Sequence, residues 1–72
     1  MRDMLESMAV FAAVVEAESF TAAGQALGLS KSAVSKHVRR LEDKFCVSLL
    51  ARTTRSLSLT EAGAQVYERC RQ

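Results

Sequence analysis

Residues 31–39 place Lys31, Ser32, Ser35, Lys36 and Arg39 between the apolar Ala33, Val34 and Val38. A helix turns by about 100° per residue. With Val34 at zero, Val38, Leu41 and Phe45 fall within about 40° of it, while Ser35, Arg39, Ser32 and Lys36 span about 100° to 200°. One face can therefore pack, and the opposite face presents hydroxyls and cations. No acid lies near its N-terminal half, since Asp43 sits more than two turns beyond Ser35. Such a face supplies donors for phosphate oxygens and base edges, the chemistry of polyanion recognition rather than of catalysis.

The charge distribution agrees. Residues 31–55 hold Lys31, Lys36, Arg39, Arg40, Lys44, Arg52 and Arg55 against Glu42 and Asp43, a net of +5. The remainder carries −3, so the formal +2 of the whole chain conceals a basic block. The block points to a polyanion partner, against the plainer alternative of a solvated charged face.

Other chemistries find little support. His37 is the single histidine, and Cys46 and Cys70 stand 24 positions apart with no Cys-x-x-Cys. No metal site and no cofactor are expected. A Cys–His nucleophile would need an orienting third group that nothing in the sequence identifies. Gly24, Gly28 and Gly63 do not form a phosphate loop. With 72 residues, 49% hydrophobic and 25% charged, the chain is the size of one small globular domain. An enzyme is accordingly the least expected class. The N-terminus has acids inside the would-be apolar run of a signal peptide, and no apolar run approaches the roughly 18 residues of a membrane span. A reduced, cytoplasmic setting without a membrane partner is expected, with both cysteines unreactive; a redox role for Cys46 is the minor alternative.

Positioning that face requires a set of elements. A first helix is predicted over 4–17, with Met4, Met8, Phe11 and Val15 as its stripe; Val10 and Val14 lie on another side and suggest a second contact, such as one with a partner subunit, against the plainer alternative of two scattered exposed valines. Ser19 is a helix N-cap, followed by a short helix over 20–27 rich in small residues. Gly24 in its middle implies that something packs closely there, since glycine costs a helix about 1 kcal/mol relative to alanine. Gly28 is the left-handed end, Leu29 its hydrophobic contact and Ser30 the next N-cap, leaving a tight turn before the third helix over 31–45. His37, at the edge of the apolar stripe, reads as a partly buried packing residue. Glu42 or Asp43 can pair with Arg39 or Arg40. Residues 49–51 and 57–59 are short strands around the basic stretch Arg52-Thr53-Thr54-Arg55-Ser56, and Thr60 caps a last helix over 60–72 that reads as cut short.

This order is a winged helix-turn-helix, mainly α: a three-helix core, a two-stranded β wing and the start of a C-terminal linker helix. Gly24, Leu27, Gly28, Leu29 and Val34 occupy the packing positions of the helix-turn-helix unit. The residues then become more specific. Met8-Ala9-Val10-Phe11 through Val15-Glu16-Ala17 opens the pattern. Ser19-Phe20-Thr21-Ala22-Ala23, Leu27-Gly28-Leu29-Ser30, Ser32-Ala33-Val34-Ser35, Leu41-Glu42, Arg52-Thr53-Thr54-Arg55 and Leu59-Thr60-Glu61-Ala62-Gly63 follow in order. Together these resemble, over essentially the whole chain, the N-terminal DNA-binding domain of the LysR-type transcriptional regulators.

The resemblance implies a DNA-binding domain over 1–60 and, over 61–72, the start of a linker helix that dimerises, with an effector-binding domain outside these residues. It implies sequence-specific binding of double-stranded promoter DNA by a homodimer or tetramer, and a small-molecule co-inducer bound through that further domain. By position, base reading falls on Lys31, Ser32, Ser35 and Lys36, and wing contacts on Arg52, Thr53 and Arg55. Arg39 and Arg40 are expected to meet phosphates, and Thr21 to touch phosphate from the start of the second helix. The alternative is a winged-helix protein-interaction module that does not bind DNA. Three positions depart from the common family pattern. Lys31-Ser32 replaces Gln-Pro or Gln-Ser. Lys36 replaces arginine and offers a point charge where arginine offers a planar fork. Cys46 stands where glycine is usual, so a left-handed backbone there would carry about 1–2 kcal/mol of strain.

Overall fold

The computed structural model describes the backbone of residues 2–52 and 57–71 and the side chains of 4–51 and 57–70. Its elements are α1 (Arg2–Ala17), α2 (Phe20–Leu27), α3 (Lys31–Phe45), β1 (Leu50–Arg52), β2 (Leu57–Leu59) and α4 (Glu61–Arg71). The predicted winged helix-turn-helix is the observed architecture. α1 packs against α2, α3 and α4, and the two strands form an antiparallel hairpin.

The side of α1 that faces inward differs from the expected stripe. Val10, Phe11 and Val14 are fully buried or nearly so, together with Ser7, whereas Met4, Met8 and Val15 are half-buried at the margin. Val10 and Val14 therefore belong to this domain's own core and do not face a partner subunit. α1 is apolar around much of its circumference, and its packing against three helices, not its own periodicity, selects the inner side. In α3, Val34, Val38 and Leu41 are fully buried as expected, but Phe45 is 44% exposed because it lies in the last turn. Leu27 is 43% exposed and so contributes less to the helix-turn-helix packing than its type suggests.

The turns follow local chemistry. Ser19 caps α2 by accepting from the Ala22 N–H, and Ser30 caps α3 by accepting from the Ala33 N–H, both at 3.1 Å. Gly28 is left-handed at φ 72°, and its N–H and that of Leu29 both reach the Gly24 carbonyl. A Cβ on Gly24 would stand 2.6 Å from the Leu29 carbonyl oxygen and 3.5 Å from Val34 Cγ2. The turn itself, more than the crossing helix, is what requires glycine there. Cys46 is left-handed at φ 57°, so the strain anticipated for a side chain at this position is present. Glu18 shares that conformation at φ 54°, which no residue type announced.

The hairpin pairs Leu50 with Leu59, Ala51 with Ser58 and Arg52 with Leu57. Leu50, Leu57 and Leu59 turn toward the core, and Ala51 and Ser58 outward, as strand alternation dictates. β1 starts one residue later than predicted. The reason is that the Leu49 N–H donates to the Glu42 carboxylate instead of to the opposite strand, so at Leu49 only the carbonyl, accepting from the Thr60 N–H, continues the ladder. Thr60 caps α4 by accepting from the Gly63 N–H at 2.9 Å and also donates to the Ser48 carbonyl at 2.6 Å. Tyr67 donates to the Glu16 carboxylate at 3.1 Å, fastening α4 to α1.

Candidate nucleic-acid interface

α3 positions the site. Its inner face is fixed by Val34, Val38 and Leu41, which leaves the opposite face to solvent. There Lys31, Ser32, Ser35, Lys36 and Arg39 line a single open concavity. All are exposed except Ser35, which is half-buried. No acid lines it. The first turn of α3 also lacks an acid, although a helix N-terminus carries partial positive charge. Lys31 in the first turn has the unfavourable sign for that dipole, and an anion bound alongside would offset the cost of about 0.3–1 kcal/mol. Hydroxyl donors and acceptors at Ser32 and Ser35, flanked by three cations, suit a surface of phosphates with base edges between them.

The structure brings five of the ten predicted residues together and separates others. Arg40 lies on a different flank of α3, beside Met4, Ser7, Leu41 and Lys44 at the junction with α1. Thr21 is exposed in the first turn of α2, outside the concavity. Arg52 ends β1 opposite Leu57. Thr53 and Arg55 lie outside the described residues, as does the side chain of Arg52. The Glu42 carboxylate, which the sequence offered as a partner for Arg39 or Arg40, accepts from the Leu49 N–H at 2.9 Å, and its carbonyl accepts from Cys46 and Val47.

The structural parts of two residues, Ser7 and Glu42, were not read from the sequence. Ser7 is 1% exposed, and its Oγ is hydrogen-bonded to His37 Nδ1 at 2.9 Å. His37 is half-buried, as predicted, but it packs through a polar contact. Glu42 was legible only as a charge. Among the described residues, no group of three histidine, cysteine or acidic side chains is placed to hold a metal ion, and no helix is long and apolar enough to cross a membrane.

Three helices, a hairpin and a basic outward face on the third helix define a winged helix-turn-helix domain. The family model described as bacterial regulatory helix-turn-helix protein, lysR family, matches residues 5–64. The chain belongs to the LysR family of bacterial regulators. It is similar to the uncharacterized HTH-type transcriptional regulator YcaN of Escherichia coli K12, at 51% identity over 71 residues, covering 99% of this chain and 24% of that protein. Two solved structures are close in shape. The BenM DBD in complex with catB site 1 DNA superposes with a TM-score of 0.87 at 32% identity, over 92% of this chain and 73% of that one. The CbnR DBD–DNA complex superposes with a TM-score of 0.88 at 33% identity, over 93% and 77%. The chain spans less than a quarter of the length of the curated relatives it matches.

Proposed function

We propose that this chain binds double-stranded DNA sequence-specifically, as the DNA-binding part of a bacterial transcriptional regulator. The observation that carries this is the α3 face: Lys31, Ser32, Ser35, Lys36 and Arg39 gathered in one acid-free concavity directly behind a helix side locked into the core. A major groove about 12 Å wide admits a helix of about 10–12 Å diameter. α3 lies in that groove, Lys31, Ser32, Ser35 and Lys36 approach the base edges, and Arg39 meets phosphate. Arg40, on the α1 side, meets phosphate at the groove's edge. Thr21 contacts backbone from the start of α2. Arg52, Thr53 and Arg55 contact backbone or minor groove from the wing. That the similar BenM and CbnR domains are found in complex with DNA supports duplex DNA as the partner. The relatives are regulators rather than enzymes, which accords with a role in occupancy and not catalysis.

In the same reading, residues 1–60 form the DNA-binding domain and 61–72 begin a linker helix. The first turns of that helix are also part of the fold, through Gly63 against Leu49 and Tyr67 against Glu16. The regulator acts on promoter DNA as a homodimer or tetramer in the cytoplasm, and a co-inducer acts through a further domain. A protein-interaction role without DNA is less suited to this face, because interface cores deplete charge.

Selection of bound duplexes from random sequence tests the reading. A recurrent motif is expected. Ser35→Ala then relaxes base preference, while Arg52→Ala weakens binding evenly across sequences. No enriched motif contradicts sequence-specific binding, and equal loss on every sequence for both variants contradicts base readout by Ser35.

A further inference from the structure

We propose that Ser7 and His37 are positioning residues for base readout: their hydrogen bond sets the rotation of α3 about its own axis. The proposal rests on the DNA-binding reading above and deepens it. The inner face of α3 is held to the core by Val34, Val38 and Leu41, three aliphatic side chains whose contacts are non-directional, and the Glu42–Leu49 hydrogen bond ties the last turns of the helix, away from Ser32, Ser35 and Lys36. Such a stripe fixes which side of the helix faces inward but resists a small roll only weakly. A hydrogen bond is directional and loses strength steeply with misalignment. Ser7 Oγ and His37 Nδ1, 2.9 Å apart and 30 residues apart in sequence, supply that directional restraint between α1 and α3. Ser7 is 1% exposed, and a buried hydroxyl with no partner is costly, so the restraint is enforced from the α1 side.

His37 neighbours Lys36 and lies two residues from Ser35, so an error in rotation passes directly to the outward face. A roll of about 10° moves an atom about 6 Å from the helix axis by about 1 Å. That exceeds the few tenths of an ångström within which a hydrogen bond to a base edge keeps its geometry. Long lysine and arginine side chains can follow a phosphate through the same displacement. The loss therefore falls on discrimination between sequences and not on general affinity for duplex.

The 72-residue chain is compared with Ser7→Ala, His37→Asn and His37→Gln. Asparagine carries an amide atom where Nδ1 sat, whereas glutamine places its amide further out. Each variant is measured by thermal melting, by the amide chemical shifts of residues 31–39, and by affinity for a selected duplex and a shuffled duplex at one salt concentration. Ser7→Ala and His37→Gln are expected to shift those amides and to lower the ratio of the two affinities about tenfold, with shuffled-duplex binding within about twofold of wild type. His37→Asn is expected to stay within about threefold of the wild-type ratio. Unmoved amides in Ser7→Ala overturn the positioning whatever the DNA data show. A wild-type ratio in both Ser7→Ala and His37→Gln overturns it, as does an equal loss on both duplexes, which would mark a merely structural role. His37→Asn falling as far as His37→Gln does the same. If Ser7→Ala does not fold, His37→Gln against His37→Asn decides. A wild-type chain with no preference among duplexes overturns the functional reading, and is recognised before any variant is compared.

Discussion

The Glu42 carboxylate accepts a hydrogen bond from the backbone N–H of Leu49 across 2.9 Å, tying the last turns of α3 to the entrance of the wing. The connection continues. The Leu49 carbonyl accepts from the Thr60 N–H at 3.1 Å, and the Thr60 hydroxyl bridges the Ser48 carbonyl and the Gly63 N–H. The α3 helix, the wing and α4 are thus joined at one point.

Removing the acceptor should show this directly. Glu42→Ala leaves the Leu49 N–H without its partner and is expected to cost about 1–2 kcal/mol in urea unfolding, whereas Glu42→Gln keeps an acceptor oxygen and costs less than about 1 kcal/mol. Equal stability of the two variants would assign the carboxylate no structural part.

Gly63 provides a second test at the same junction. A Cβ there would collide with the Leu49 carbonyl. On helix propensity alone Gly63→Ala would gain about 1 kcal/mol. The close approach predicts the opposite sign, a loss of about 1–3 kcal/mol. A raised melting temperature contradicts it.

Cys46 is held at φ 57°, where a side chain is strained. Cys46→Gly relieves the strain but enlarges the freedom of the unfolded chain, so the net expectation is a gain of up to about 1 kcal/mol. Cys46→Val, β-branched, is expected to destabilise. Thermal melts of the two should move in opposite directions.

The cysteines should also differ in reactivity. Cys46 is exposed, while Cys70 is half-buried and burial pushes its thiol up from the ordinary value. The reactive form is the thiolate. At mildly alkaline pH, iodoacetamide is expected to label Cys46 first, and Cys70 to catch up only as the pH rises further. Mass spectrometry of the labelled peptides decides, and faster labelling of Cys70 contradicts the burial argument.

Local chemistry was readable in the sequence, and tertiary choice was not. Ser19, Gly28, Ser30 and Thr60 declare helix ends because a cap is satisfied by neighbours a few residues away. The outward face of α3 was equally plain, since its apolar residues form one narrow stripe. α1 was misjudged because several sides of it are apolar, and only its neighbours select Val10 and Val14 over Met4 and Met8. Glu42 looked like half of a surface ion pair because its backbone partner, Leu49, lies seven residues away beyond a turn. Ser7 gave no sign of being buried, since its partner is 30 residues distant. Gly63 was legible as the end of a family-like run but not as a close approach, because the carbonyl that excludes a side chain belongs to Leu49, just before β1.

Duplex affinity as a function of salt tests the central claim most directly. If the α3 face and wing neutralise about five to seven phosphates per domain, the slope of log affinity against log salt is about −4.5 to −6.3. Affinity then falls about a thousandfold between 50 and 200 mM salt. Binding that is unchanged over that range, or no binding of duplex at low salt, would contradict the assignment of this face to DNA.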